Sequence, residues 1–131
     1  MIMTNTPLPE NSHFISKDRA ITMTSDYRTH KEGILAPAYQ GQDILPLSET
    51  FNRQALDQLL ATEGCAGLRI YYGMDGNLKI HAVMVAVNAL NQDILPASGN
   101  LSLTSDPGDG VIVEEGQRCP PVCPDKSPLN G

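Results

Sequence analysis

The chain has 131 residues, of which 40% are hydrophobic, so its length allows one domain with a hydrophobic core and not two. Nine basic and fifteen acidic residues give a net charge of −6, which argues against binding to nucleic acid or to anionic membranes, because both need clustered lysine and arginine. Ten prolines and eleven glycines indicate irregular ends around a compact centre.

The N-terminal sequence and the cysteines predict where the protein resides. Residues 1–15 contain no basic region followed by an apolar run, and no window of the sequence is long and apolar enough for a membrane span. We therefore expect no secretory signal, no membrane insertion and a cytoplasmic location. The cysteines are consistent with a cytoplasmic location, because Cys65 stands alone and only Cys119 and Cys123 lie near each other.

The first predicted elements are an arm and a helix. Residues 1–15 are mostly polar and contain prolines, so we expect a flexible or partner-bound arm. Ser16 is a suitable N-cap for a helix over 17–31, and Gly33 is its predicted stop. A proline-containing connection follows, with one short extended piece near 39–45.

The second predicted helix has both ends marked in the sequence. Asn52 is a good N-cap residue, and Phe51 and Leu56 occupy the positions of a hydrophobic staple. Gly64 can adopt the left-handed conformation that ends many helices. These signals predict a helix over 53–62.

A β-hairpin is predicted directly after this helix. A loop at 73–77 would place Tyr72 opposite Leu78. Ile70 would then face Ile80, and one face of the hairpin would be apolar. The other face would carry four polar side chains, which are Arg69, Tyr71, Lys79 and His81.

The second strand of this hairpin is apolar on both sides at its far end. Val83, Val85 and Val87 continue the face that begins with Lys79 and His81, as expected of a central strand covered on both faces. The predicted cover is the N-terminal segment, the C-terminal segment or another copy of the protein. The three valines are therefore our candidate interaction residues.

The remaining sequence predicts short strands and a proline-rich tail. A short third strand is expected at 93–95, a brief strand at Leu101 and Leu103, and a further strand at 110–115 on an edge of the sheet. The acidic, glycine-rich stretch 106–110 fits a turn better than a calcium loop, because glycines stand where oxygen ligands are needed.

These elements predict an α+β fold, with an antiparallel sheet of three to four strands and two helices packed on it. The predicted organisation is an arm at 1–15, a single α+β domain at 16–116 and a tail at 117–131 that is rich in proline and cysteine. Four prolines in the last sixteen residues exclude a helix or a central strand there.

Two stretches of the chain carry a resemblance. The run GCAGLRIYYGMD at 64–75 and the run RCPPVC at 118–123 resemble a group of small uncharacterised bacterial proteins. In that group an N-terminal helix precedes a leucine-rich helix, a G-x-R-I-Y-Y-G strand, a valine-rich strand and a C-terminal C-P-P-x-C. The resemblance covers about 15–123 and implies this architecture without implying an activity.

The pair Cys119 and Cys123 is the most distinctive chemical feature. We favour a structural role, either as a small disulfide-closed loop or as reduced thiols packed on the sheet, over redox chemistry or metal binding. Cys65 is interpreted as a buried residue in the turn after the helix. A zinc site of Cys65, His81, Cys119 and Cys123 is conceivable by ligand type, although nothing in the sequence indicates that the four meet.

The leading functional hypothesis is a non-catalytic protein that self-associates or docks on a protein partner through its sheet and terminal arms. No Ser-His-Asp arrangement or phosphate-binding glycine loop is present to suggest an enzyme, and we expect no cofactor. The alternative is a thiol-based redox or metal-binding protein that uses Cys119 and Cys123. A third hypothesis is an anionic ligand on the Arg69 and His81 face.

Overall fold

The computed structural model describes residues 7–10, 12–97 and 110–131, and it confirms the α+β class. The described residues contain two α-helices, a 3₁₀ turn at Pro37–Tyr39 and antiparallel sheets of two and four strands. The helices are α1 (Lys17–His30) and α2 (Arg53–Leu60), and the strands are β1 (Ser48–Thr50), β2 (Gly67–Met74), β3 (Ile80–Val87), β4 (Asp93–Ile94), β5 (Ile112–Val113) and β6 (Gln117–Cys119).

The chain divides into two compact units. The first contains the described residues of Met1–Glu10, Phe51–Gly73 and Ala82–Glu115. The second contains those of Asn11–Thr50, Met74–His81 and Gly116–Gly131.

Helix α2, in the first unit, forms where the cap signals predict it. The Asn52 side chain accepts a hydrogen bond from the backbone N–H of Ala55 at 2.9 Å, which satisfies one of the free donors at the helix start. The helix ends at Leu60, slightly before the predicted end, and Gly64 has the expected positive φ of 81°. The helix turns Leu59 fully into the core.

Strand β3 is the centre of the four-stranded sheet. It pairs with β2 along one edge. Along its other edge Met84 pairs with Val113 of β5, and Ala86 pairs with Ile94 of β4. The strands predicted at 93–95 and 110–115 are therefore confirmed, and both are shorter than predicted. The predicted strand at Leu101 and Leu103 lies outside the described residues, as does most of the predicted turn at 106–110.

The hairpin loop predicted at 73–77 is wrong. Strand β2 continues through Met74 and β3 begins only at Ile80. Leu78, with a φ of 65°, belongs to the connection and cannot pair with Tyr72 as a strand residue.

A side chain explains why the turn lies two residues later, at 75–79. The Asp75 N–H donates to the Lys79 carbonyl at 3.0 Å, which closes the connection. The Asp75 carboxylate also accepts backbone N–H groups of Asn77 at 2.8 Å and of Lys79 at 3.1 Å. Aspartate stabilises turns by this kind of hydrogen bond, and the pattern of apolar residues does not reveal it.

The core of the first unit lies between α2 and one face of the sheet. Its buried residues are Leu59, Met84, Ala86 and Val113. Phe51, Ala55, Leu56, Cys65, Ile94 and Val111 are partly buried against them. The first unit is thus organised as one short helix on a small sheet.

The second unit contains α1 and the two-stranded sheet. Helix α1 starts at the predicted cap, where the Ser16 hydroxyl accepts the Arg19 N–H at 3.1 Å, but it contains no buried residue. Strands β1 and β6 pair antiparallel, with Glu49 opposite Arg118. Strand β1 lies just beyond the extended piece predicted at 39–45, and β6 lies in the stretch predicted as a tail.

We predict that Gly110→Ala destabilises the first unit. A Cβ at this position would overlap the Ile94 carbonyl oxygen, which the backbone cannot accommodate without moving. Overpacking of this kind costs about 3 kcal/mol of unfolding free energy. Urea unfolding followed by circular dichroism measures the change.

The matched control is Gly76→Ala, because a Cβ at Gly76 meets no atom within 4 Å. Its unfolding free energy should change by less than about 0.5 kcal/mol. Equal effects of the two substitutions would contradict the close approach of Gly110 to Ile94.

Candidate functional site

The predicted interaction valines lie largely inside the chain. Val85 and Val87 are only 3% and 2% exposed, and Val83 is partly buried. A Cβ placed on Gly67 would contact the Val87 side chain at 3.4 Å and the Leu8 side chain at 3.1 Å. The N-terminal segment, through Leu8, is therefore part of the surroundings of this face.

We name the side of the sheet that carries Val83, Val85 and Val87 the valine face. Gly67 identifies which side chains of β2 lie on the same side. Alternate residues of a strand point to the same side, so Arg69 and Tyr71 lie on the side of Gly67 and Val87. Leu68, Ile70 and Tyr72, which we name the edge strip, lie on the opposite side, the side of Met84 and Ala86.

A polar network on the valine face links β2 to β4. The Arg69 guanidinium donates to the Asp93 carboxylate, to the Asn91 carbonyl at 3.0 Å and to the Asn91 side-chain oxygen. The Tyr71 hydroxyl donates to the other oxygen of the same carboxylate. Because β3 lies between β2 and β4, the Arg69 side chain spans the valine face of β3.

This network, which we name the Arg69 bridge, is partly shielded from water. The Arg69 and Asp93 side chains are 29% and 23% exposed. Burial by itself lowers the pKa of Arg69, but hydrogen bonds with Tyr71 and Asp93 and the Asp93 charge together raise that pKa above its ordinary value. The apolar stem of an arginine can pack on hydrophobic residues while its head group stays paired. The bridge thus contributes a cover for the valines from within the chain.

Three of the four polar residues predicted to share a hairpin face have side chains that contact acidic groups of the chain. Arg69 and Tyr71 engage Asp93, as described above. His81, in the second unit, has its Nε2 atom 2.7 Å from the Asp75 carboxylate. Arg69 and His81, the two residues named for the predicted anion-binding face, therefore already contact carboxylates of the chain.

Asp75 is the most perturbed acid of the turn. Its hydrogen bond with His81 is the main cause, and the backbone N–H groups of Lys79 and Asn77 add to it, so that the pKa of Asp75 is lowered to about 2. The ionised carboxylate therefore organises the hairpin connection at neutral pH.

The cysteines form one disulfide. Cys119 and Cys123 are bonded, with their Cα atoms 4.6 Å apart, so the predicted pairing is confirmed. Cys65 is a free, partly buried thiol that lies 3.3 Å from the Gly67 carbonyl oxygen. A zinc site of Cys65, His81, Cys119 and Cys123 is not formed in this state, because disulfide-bonded sulfurs are not thiolate ligands.

The edge strip belongs to the face of the hairpin that the sequence predicts to be apolar. In the structure its three side chains are exposed. Leu68 is 41% exposed, Ile70 47% and Tyr72 80%. Helix α2 has eight residues and is therefore only about 12 Å long. It lies against β5, on the other side of β3 from β2, and it leaves the edge strip exposed.

Comparisons with known proteins add no assignment: no family model, curated protein or solved structure matches the chain. In the part of the chain that the structure describes, no helix has the length and apolar character needed to cross a bilayer. The candidate site is thus interpreted from its own geometry.

We predict that Asp93→Asn lowers the free energy of unfolding by about 2 kcal/mol, because it leaves a partly buried guanidinium without its charged partner. Tyr71→Phe is the graded comparison, since it removes one hydrogen bond to the same carboxylate and should cost about 1 kcal/mol. Chemical denaturation of both variants tests the bridge. An Asp93→Asn protein as stable as the wild type would show that the bridge contributes nothing.

The lowered pKa of Asp75 predicts a loss of stability in acid. The folded pKa, about 2, lies below the ordinary value of 3.8, so the stabilisation is fully present above pH 3.8 and is lost as the pH falls towards 2. Asp75→Asn should remove this contribution.

Urea unfolding midpoints of the wild type and of Asp75→Asn, measured from pH 5 to pH 2, provide the test. We expect the wild type to be the more stable protein at pH 5 and the difference to shrink towards pH 2. A difference that does not vary with pH would be inconsistent with the lowered pKa.

Proposed function

We propose that the protein is a non-catalytic interaction protein that self-associates, with β2 of one copy pairing to β2 of a second copy. The observation that carries this proposal is the edge strip. Leu68, Ile70 and Tyr72 stand next to one another on one face of an edge strand, and each is more than 40% exposed. Adjacent exposed apolar side chains of this kind often mark an interaction surface.

The backbone of β2 supports the same interpretation. Within the described sheet β2 pairs only with β3, so its outer edge presents unpaired N–H and C=O groups. Natural edge strands are usually protected by lysine, by proline or by a bulge. Strand β2, with the sequence GLRIYYGM, has neither lysine nor proline, and its one charge, Arg69, is held by Asp93 on the valine face.

A second copy suits this edge better than an unrelated strand, because the strip is self-complementary. If two β2 strands pair antiparallel about a twofold axis perpendicular to the sheet, the face of each residue is preserved. The two edge strips then lie side by side on one face of a continuous sheet. Aromatic and β-branched neighbours across strands, such as Tyr72 and Ile70, stabilise such pairing.

Charge adds a condition to this pairing. The chain carries a net charge of −6, so two copies repel each other at long range. Strand β2 contains no acidic residue, so the repulsion does not arise at the contact itself. Because salt screens long-range repulsion and strengthens apolar contacts, association should become tighter as the salt concentration rises.

We predict that Ile70→Lys converts the associated wild type into a monomer. Two lysines would then stand at the centre of the paired strips. The loss of two buried isoleucine side chains should weaken the dimer about a hundredfold or more. Sedimentation velocity and light scattering, from micromolar concentrations upward and at low and high salt, measure the change.

The matched control is Ile34→Lys, which makes the same change at an isoleucine that is 74% exposed and lies outside the sheets. This variant should associate like the wild type. A wild-type protein that stays monomeric at all salt concentrations, or equal effects of the two substitutions, would refute pairing through β2.

A further inference from the structure

The segment around the disulfide is anchored to the second unit at several points. The Cys119 carbonyl accepts the Leu47 N–H at 2.8 Å, and Arg118 donates to the carbonyls of Asp43 and Ile44, each at 3.1 Å. Further along, Arg28 donates to the Leu129 carbonyl at 2.6 Å. None of these bonds involves a sulfur atom, so opening the disulfide breaks none of them directly.

The two bonded cysteines differ sharply in exposure. Cys119, at the end of β6, is 2% exposed, whereas Cys123 and the residues on both sides of it are exposed. Val122, next to Cys123, is itself 53% exposed. A thiolate attacks a disulfide at the sulfur it can reach, so access distinguishes the two ends of this bond.

We propose that the Cys119–Cys123 disulfide is a directional thiol-exchange site, at which a low-molecular-weight thiol attacks the Sγ atom of Cys123 and Cys119 is the leaving group. This inference goes beyond self-association and does not depend on it. It gives the two cysteines different roles, with Cys123 as the acceptor of the external thiol and Cys119 as the sheltered thiol that can restore the bond.

An external thiol opens the disulfide by exchanging one sulfur–sulfur bond for another. Its thiolate forms a bond to Cys123 Sγ as the Cys119–Cys123 bond breaks, and the electron pair of that bond leaves on Cys119 Sγ, which takes a proton from water. The Cys119 thiolate can reverse the step by attacking Cys123 Sγ and expelling the external thiol. Alternatively, a second external thiol attacks the sulfur of the first. Two external thiols are then oxidised to one disulfide, and both cysteines are reduced.

Glutathione is the probe for this proposal. The oxidised full-length protein is incubated with mixtures of reduced and oxidised glutathione, quenched with acid, alkylated and digested. Tandem mass spectrometry then assigns the state of each cysteine. We expect the glutathione adduct on Cys123 in about tenfold or greater excess over Cys119, because accessibility controls the exchange. Cys65, partly buried and unpaired with another cysteine, serves as an internal reference thiol.

Two variants separate the roles of the sulfurs. Cys119→Ser removes the restoring thiol and should accumulate the adduct on Cys123. Cys123→Ser is the matched control, and its buried Cys119 should react about tenfold more slowly. Partial exchange of the wild type, stopped by acid at short times, gives the same comparison without any substitution.

Circular dichroism and amide hydrogen exchange of β6 establish whether the fold survives the opening of the bond. Retained protection of β6 with the adduct on Cys123 supports the proposal. Equal adducts on both cysteines would overturn it. So would a disulfide that stays oxidised at glutathione ratios that reduce an exposed reference disulfide, or that opens only when β6 unfolds.

Discussion

Burial of β3 on both faces is the constraint on which the first unit depends. A strand buried in this way needs a cover on each side, and the chain provides two of different chemistry. Leu59 of α2 packs on the face of Met84 and Ala86, as in any small hydrophobic core. On the other face, the Arg69 bridge crosses the strand to Asp93. A charged side chain can serve as a cover because its stem is apolar and its partner is held in place by the neighbouring strand.

Local features of the fold could be predicted from the sequence, and distant contacts could not. The caps Ser16 and Asn52 were predicted correctly because a cap and the N–H group that it accepts lie within one turn. The hairpin loop was predicted wrongly because side-chain bonds of Asp75 fix the turn two residues later, at 75–79. The bridge between Arg69 and Asp93 joins residues on two strands that are separated by a third, and no periodic pattern encodes it. Because the sequence does not show this bridge, it predicts only the terminal segments or another copy of the protein as the cover of the valines.

The same distinction applies to the candidate surfaces. The edge strip has the alternating pattern of a core face, and the sequence does not show that α2 is too short and too far to one side to cover it. The Cys119–Cys123 bond was among the predicted alternatives, but the difference in exposure of its two residues appears only in the fold. A permanent disulfide is typical of oxidising compartments, whereas the sequence predicts a cytoplasmic location. A disulfide that exchanges with thiols would be compatible with an oxidising compartment and with the cytoplasm.

The close approach of Gly110 to Ile94 affects how much the length of the sequence between these two residues can vary. The chain leaves the sheet at β4 and returns beside the same strand, so the two ends of the intervening stretch are fixed almost at one point. Closing a longer loop between fixed ends costs only about 0.6 kcal/mol for each doubling of its length. A longer connection between Ile94 and Gly110 therefore adds little to the free-energy cost of folding, provided that the close approach of these two residues is kept.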